Sequence, residues 1–221
     1  MREVRWPWWW GWYGGRSARA QGSQEIAHGT ARTGADGVFS IEFNAKPDPS
    51  VSEKDEASFS YTINADVTDT TGETRSAQRA VNVGFTALSA TLSAVEWQTE
   101  DKPMTLTIRT TTLDGEAQTA EGKVKIHRLK EPAKVQRASL GGYNRGDEDG
   151  DGKPDADLSN PNNWELGEIV AEKGFTTDAE GNAKLEFALG AGVYRAMLET
   201  QDGFGKTVTG RLPLQVLQPE A

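Results

Sequence analysis

The chain has 221 residues, room for one large domain or two ordinary ones, and sets 33 Asp and Glu against 24 Lys and Arg for a net charge of -9. That balance disfavours nucleic acid and anionic membranes as partners, because both need a basic face. It contains no cysteine, which excludes disulfides, thiolate nucleophiles, zinc–thiolate sites and internal thioesters from this sequence.

In chain order the first element is the strand "REVRWP" (2–7), which is similar to "VKIHRLKEP" (124–132) further on. The stretch "WPWWWGWY" follows, placing Trp8, Trp10 and Trp12 on one side by alternation, with Trp9 and Tyr13 elsewhere and Pro7 and Gly11 breaking any regular strand. These tryptophans point to an aromatic face packed on a neighbouring domain; the alternative is a stacking platform for sugar rings in a carbohydrate-binding or adhesive module. Rich in Trp and short, the segment does not read as a secretion signal, so the address of an exported parent lies outside this chain. No run approaches the eighteen apolar residues of a membrane span.

Strict alternation then recurs. "GVFSIEF" (37–43) sends Phe39, Ile41 and Phe43 to one side; "TLTIRT" (105–110) does so with Leu106 and Ile108, "KVKIHRL" (123–129) with Val124 and Ile126, and "AKLEFAL" (183–189) with Leu185 and Phe187. Period-two runs separated by Gly, Asp and Pro turns predict an all-β, antiparallel protein. The pattern is also written twice. "TGADGVFSIEF" (33–43) aligns with "TDAEGNAKLEF" (177–187) at an offset of 144, and "YTINADVTDTTGET" (61–74) with "YRAMLETQDGFGKT" (194–207) at an offset of 133. Tyr61 falls on Tyr194, Asp69 on Asp202 and Gly72 on Gly205, and the longer loop "KPDPSVSEKDEAS" absorbs the difference. In each copy an aspartate able to bond its own backbone precedes a glycine able to take positive φ, the requirements of a tight hairpin. The expectation is two tandem fibronectin-like or immunoglobulin-like β-sandwich domains: 1–86, lacking its first two strands as a fragment would, and 87–221, with seven strands and an acidic loop at 141–164.

That loop, "NRGDEDGDGKPDADLSNPNNW", puts Asp147, Asp149, Asp151 and Asp155 at alternating calcium-loop positions, with Gly152 for the turn and the Lys153 carbonyl as a further ligand. Leu158 stands where the last ligand belongs, and Pro154 rules out the flanking helices of an EF-hand, so Asp157 or Asn160 would supply the missing oxygen. Mutually repelling carboxylates held this close favour a structural Ca2+. The Arg145–Gly146–Asp147 tripeptide is a chance match. His28 and His127 have no acid or nucleophile placed beside them, and Glu53 to Glu56 form a charged loop tip, most simply solvated.

The order of the marks "TDAEG" before an alternating strand, "LGAGVYR" leading into "DGFG", and the two copies together resembles consecutive macroglobulin domains of large bacterial alpha-2-macroglobulin-like proteins. The resemblance implies a structural role without catalysis: scaffold domains of a secreted or membrane-anchored, extracellular or periplasmic parent that traps and inhibits proteases. Its implied partners are the neighbouring domains of the parent and, through the parent, proteases; neither nucleic acid nor membrane is contacted by this segment.

Overall fold

The computed structural model describes residues 1–7, 23–95, 97–134 and 157–219. Strands β1 (Arg2–Arg5), β2 (Ser58–Thr68) and β3 (Thr74–Gly84) form a three-stranded antiparallel sheet in the order β1-β2-β3. Eight further strands follow: β4 (Leu88–Ala94), β5 (Gln98–Thr99), β6 (Met104–Thr112), β7 (Glu121–Leu129), β8 (Leu166–Thr176), β9 (Asn182–Phe187), β10 (Gly192–Gln201) and β11 (Thr207–Leu217). They make two sheets, β5-β11-β10-β7-β8 and β4-β6-β9, antiparallel except where the two residues of β5 run parallel to β11. The protein is all-β and sandwich-like. No α-helix occurs among the described residues.

The sandwich core follows from the alternation. Leu88, Ala90 and Leu92 of β4, and Met104, Leu106 and Ile108 of β6, are buried at every second position. They meet Val124 and Ile126 of β7, Tyr194, Ala196 and Leu198 of β10, and Leu212 and Leu214 of β11 in one cluster. At its rim two threonines replace hydrocarbon. The Thr110 and Thr177 hydroxyls lie 2.9 Å apart, and Thr177 Oγ1 accepts from the Ala120 N–H at 2.8 Å, so their buried polar groups are satisfied.

The two halves are copies at the level of register. Tyr61 pairs with Val81 in the β2–β3 hairpin, and Tyr194 with Leu214 in the β10–β11 hairpin, the same shift of 133 on both strands. Their turns are bonded identically. Asp69 N–H donates to the Glu73 carbonyl and Gly72 N–H to the Asp69 carbonyl; Asp202 and Lys206, Gly205 and Asp202 repeat this, with φ of 87° at Gly72 and 79° at Gly205. Each hairpin is also pinned by its tyrosine at the strand entrance. The Tyr194 hydroxyl donates to the Gly190 carbonyl at 2.8 Å, and Tyr61 donates to that of Lys46 at 2.5 Å. Lys46 and Gly190 are themselves related by the offset of 144, so the longer loop is accommodated between the lock and its strand.

One expected strand is absent. Residues 37–43 are not a strand, and Val38, Ile41 and Phe43 are exposed. The turn before them does form: Gly34 N–H donates to the Val38 carbonyl and Gly37 N–H to that of Gly34, as Asp178, Asn182 and Gly181 do ahead of β9. The difference lies in the partner. β9 pairs along its length with β6, whereas no described strand lies beside residues 38–43. A period-two pattern supplies an amphipathic ribbon, but a strand also needs an edge to bond. Among the described residues the N-terminal sheet accordingly shelters Val51, Ala57, Phe59 and Tyr61, with Val4, Trp6, Ala45, Val83 and Phe85 packed against them.

Candidate functional site: the junction and the base of the acidic loop

The loop that distinguishes the two copies builds the contact between them. Within it Ser52 caps a 3-10 turn (Glu53–Asp55), and the turn ends at Glu56 in the left-handed region, with φ of 51°. Glu56 is the one non-glycine at positive φ among the described residues. Holding a side-chain-bearing residue there costs about 1 kcal/mol, and the contacts it makes lie on the other sheet. The Thr209 hydroxyl, on the outward face of β11, donates to Glu56 Oε1 at 2.9 Å and lies 3.1 Å from Oε2. Burial pushes the Glu56 carboxyl above its ordinary range, opposed by the Thr209 bond and the charge of Arg211. Beside it Lys206 Nζ pairs with Glu53 Oε1 at 2.5 Å. Both partners of that pair are largely solvated, which keeps its energetic weight small.

The connecting residues are fixed from the same side. Asp202 Oδ1 closes its own turn by accepting from the Phe204 and Lys206 N–H groups, and its Oδ2 reaches across to accept from Ala87 N–H, each at 2.9 Å. The bond from Ala87 leads the causes that hold the Asp202 carboxyl below its usual range, followed by those from Lys206 and Phe204 and the charge of Lys206. Two residues before Ala87, Phe85 packs edge-on against Phe59 with ring centroids 5.7 Å apart. Opposite, Asp114 Oδ1 accepts both N–H and Nδ2 of Asn82 at 3.0 Å. Gly84 is tight here: a Cβ on it would stand 2.9 Å from Leu113 Cδ1.

A second patch forms the downstream end of the acidic loop, residues 157–164. Asp157 Oδ1 accepts from Ser159 N–H at 3.0 Å and Ser159 Oγ at 2.6 Å, and Asn160 Oδ1 caps the 3-10 turn Pro161–Asn163 through Asn162 N–H. Trp164 Nε1 donates to the Leu158 carbonyl at 2.8 Å. Arg195, buried on β10, donates from Nη2 to the Asn162 carbonyl at 2.8 Å and lies 3.2 Å from that of Pro161. Of the sequence-predicted calcium ligands, Asp157 lies here; Asp147, Asp149, Asp151, Lys153 and Asp155 lie outside the described residues, as do Trp8, Trp9, Trp10 and Trp12. Among the described residues no group of three or more His, Asp or Glu side chains converges.

Other titratable groups among the described residues make local contacts. Arg2 is buried against Asp48, with Nη2 2.6 Å from Oδ2, and donates also to the Gln24 side chain and the Lys46 and Pro47 carbonyls. Hydrogen bonds from Ser50, then the Arg2 charge, keep the Asp48 carboxyl low. His28 faces Glu25 at 3.1 Å on the surface, and His127 Nδ1 lies 3.3 Å from the Gly167 carbonyl. An open depression at β7 and β8 is lined by Glu121, Gly122, Gly174, Phe175 and Thr176, one carboxylate without a second titratable group in its lining.

Sequence reasoning read Glu53 and Glu56 as a solvated tip; Glu53 is solvated, pairing with Lys206 in the turn before β11, whereas Glu56 is half-buried against Thr209 of β11. The signal that could have found them was the length difference itself, since what one copy carries and the other lacks is where the copies can be joined. No family model matches the chain, and no curated protein matches it.

Proposed function

We propose that this chain is a non-enzymatic pair of structural modules of macroglobulin type, the scaffold of a large bacterial alpha-2-macroglobulin-like protein that traps proteases in an extracellular or periplasmic setting. One observation carries the reading: a tyrosine-locked hairpin repeats at a single register in both halves, and the loop inserted in one copy is spent on gripping the other. Groups that a catalytic site would leave available, the Asp202 and Glu56 carboxylates, are engaged by backbone N–H and hydroxyl donors across the junction. Such a junction sets the angle between modules, which is the mechanical task of a trap's frame. The test uses the full-length gene product containing this sequence, incubated with trypsin. Gel filtration should show protease retained in the complex, still cutting small peptide substrates while proteins are spared. A product that retains no protease and spares no protein substrate overturns the reading.

With this role goes a calcium staple in the acidic loop, through Asp147, Asp149, Asp151, the Lys153 carbonyl, Asp155 and Asp157. Its support is chemical: alternating carboxylates, and a downstream end already anchored on Arg195. Titration should give binding heat at or below millimolar Ca2+ and a raised melting temperature; no heat and an unchanged Tm remove the ion.

A further inference from the structure

What β4, β6 and β9 do for the sandwich has no counterpart among the described residues of the N-terminal half. In the sandwich, β9 is bonded to β6 from Asn182 to Phe187, and the inner face of β10 is buried at Ala196, Leu198 and Thr200. At the equivalent positions of β2, Ile63 and Ala65 are only half-buried and Val67 is 42% exposed. At the equivalents of β9, Ile41 is 52% and Phe43 36% exposed. Among the described residues, then, the N-terminal half leaves unpaired the ribbon and uncovered the sheet face that one strand pair covers in the other copy. The turn Gly34–Val38 is closed as Asp178–Asn182 is, so the ribbon is started, with no described strand beside it.

We infer that this face is a strand-acceptor site, completed by a two-stranded antiparallel segment with aliphatic side chains at every second position. The sandwich shows the occupant's chemistry: Leu88, Ala90 and Leu92 on one strand, and Met104, Leu106 and Ile108 on the strand that bonds β9. One donor strand satisfies the backbone of residues 38–43, and the apolar side of the pair lies on Ile63, Ala65 and Val67. The site also carries its own specificity. On this face of β3, Arg75 and Arg79 are exposed at the positions that Val208 and Leu212 fill in β11; Arg75 is paired with Glu73 at 3.1 Å, so it is Arg79 that calls for a carboxylate on the donor.

The inference stands apart from the parent's activity and is tested on the 221-residue chain by amide hydrogen exchange. The probe is a second copy of residues 87–113, fused ahead of Met1 through a Gly/Ser linker. In the unfused chain the amides of 39–43 should exchange nearly unprotected, and in the fusion roughly a hundredfold more slowly. Ile41→Asp should abolish the gain while the sandwich amides, read in the same experiment, stay protected. Arg79→Leu removes a charge that this probe cannot match and should deepen the protection. Native-like protection in the unfused chain, no gain in the fusion, or a gain that appears only as the protein dimerises with concentration each overturns the acceptor; an unchanged Arg79→Leu response overturns the carboxylate requirement.

Discussion

Phe43 and Phe187 occupy the same place in the two copies, six residues beyond the same glycine turn, yet Phe187 is 3% exposed and Phe43 36%. The turns, the hairpin register and the tyrosine locks agree between the halves, while the buried clusters differ: among the described residues, eighteen in the sandwich and four in the N-terminal sheet. A turn closes through bonds within five residues and forms wherever its aspartate or glycine stands. A strand is a property of two segments, and no second segment lies beside the N-terminal ribbon among the described residues.

Paired substitutions can break this comparison. Phe187→Ala should cost about 3–4 kcal/mol, the range for emptying an aromatic site in a packed core. Phe43→Ala, which forfeits mainly a tilted contact with Tyr61 at 5.7 Å, should cost about 1 kcal/mol or less. Denaturant unfolding of the two variants measures both, and equal losses would mean that Phe43 is packed as closely as Phe187.

The turn glycines sharpen it. Gly37 and Gly181 share a φ near 75° (76° and 75°), but a Cβ on Gly181 would stand 2.2 Å from the Thr110 carbonyl oxygen, whereas one on Gly37 meets nothing within 4 Å. Gly37→Ala should therefore show only the backbone strain, about 1 kcal/mol. Gly181→Ala adds a backbone clash and should lose roughly 3 kcal/mol, read from the melting temperature.

At the next scale, Asp202→Ala should destabilise by about 2–3 kcal/mol, because it strands the Ala87 N–H as well as the turn. Asp69→Ala, on the same turn without a cross-junction bond, should lose less by the same measurement. These acids also set a pH signature. Asp202 titrates below its ordinary value, so its contribution is complete above that value and is lost as pH falls through the lowered one. Glu56 titrates above its ordinary value, so its contribution is complete below that value and is lost as pH rises through the raised one. Protection of the Ala87 amide should peak between the two, and Glu56→Gln should flatten the upper flank only.

The smallest effect is the most diagnostic of the repeat. Tyr61→Phe and Tyr194→Phe should each cost about 1 kcal/mol, the worth of one hydrogen bond to a buried-side carbonyl. A difference between them much above that size would show that the lock is not shared.

Sequence by itself determined the all-β class, the turn positions, the hairpins and their common register, because alternation, Asx-type bonding and positive-φ glycines act over a few residues. It also marked Tyr61 and Tyr194 as equivalent, but not the carbonyls of Lys46 and Gly190 that their hydroxyls reach. Tertiary structure alone decided that residues 38–43 do not form a strand, that Asp202 bonds Ala87 across 115 positions, and that Glu56 turns inward to Thr209. Each of those outcomes depends on what a distant segment places alongside, and a linear pattern fixes a residue's appetite for a partner without saying whether one arrives.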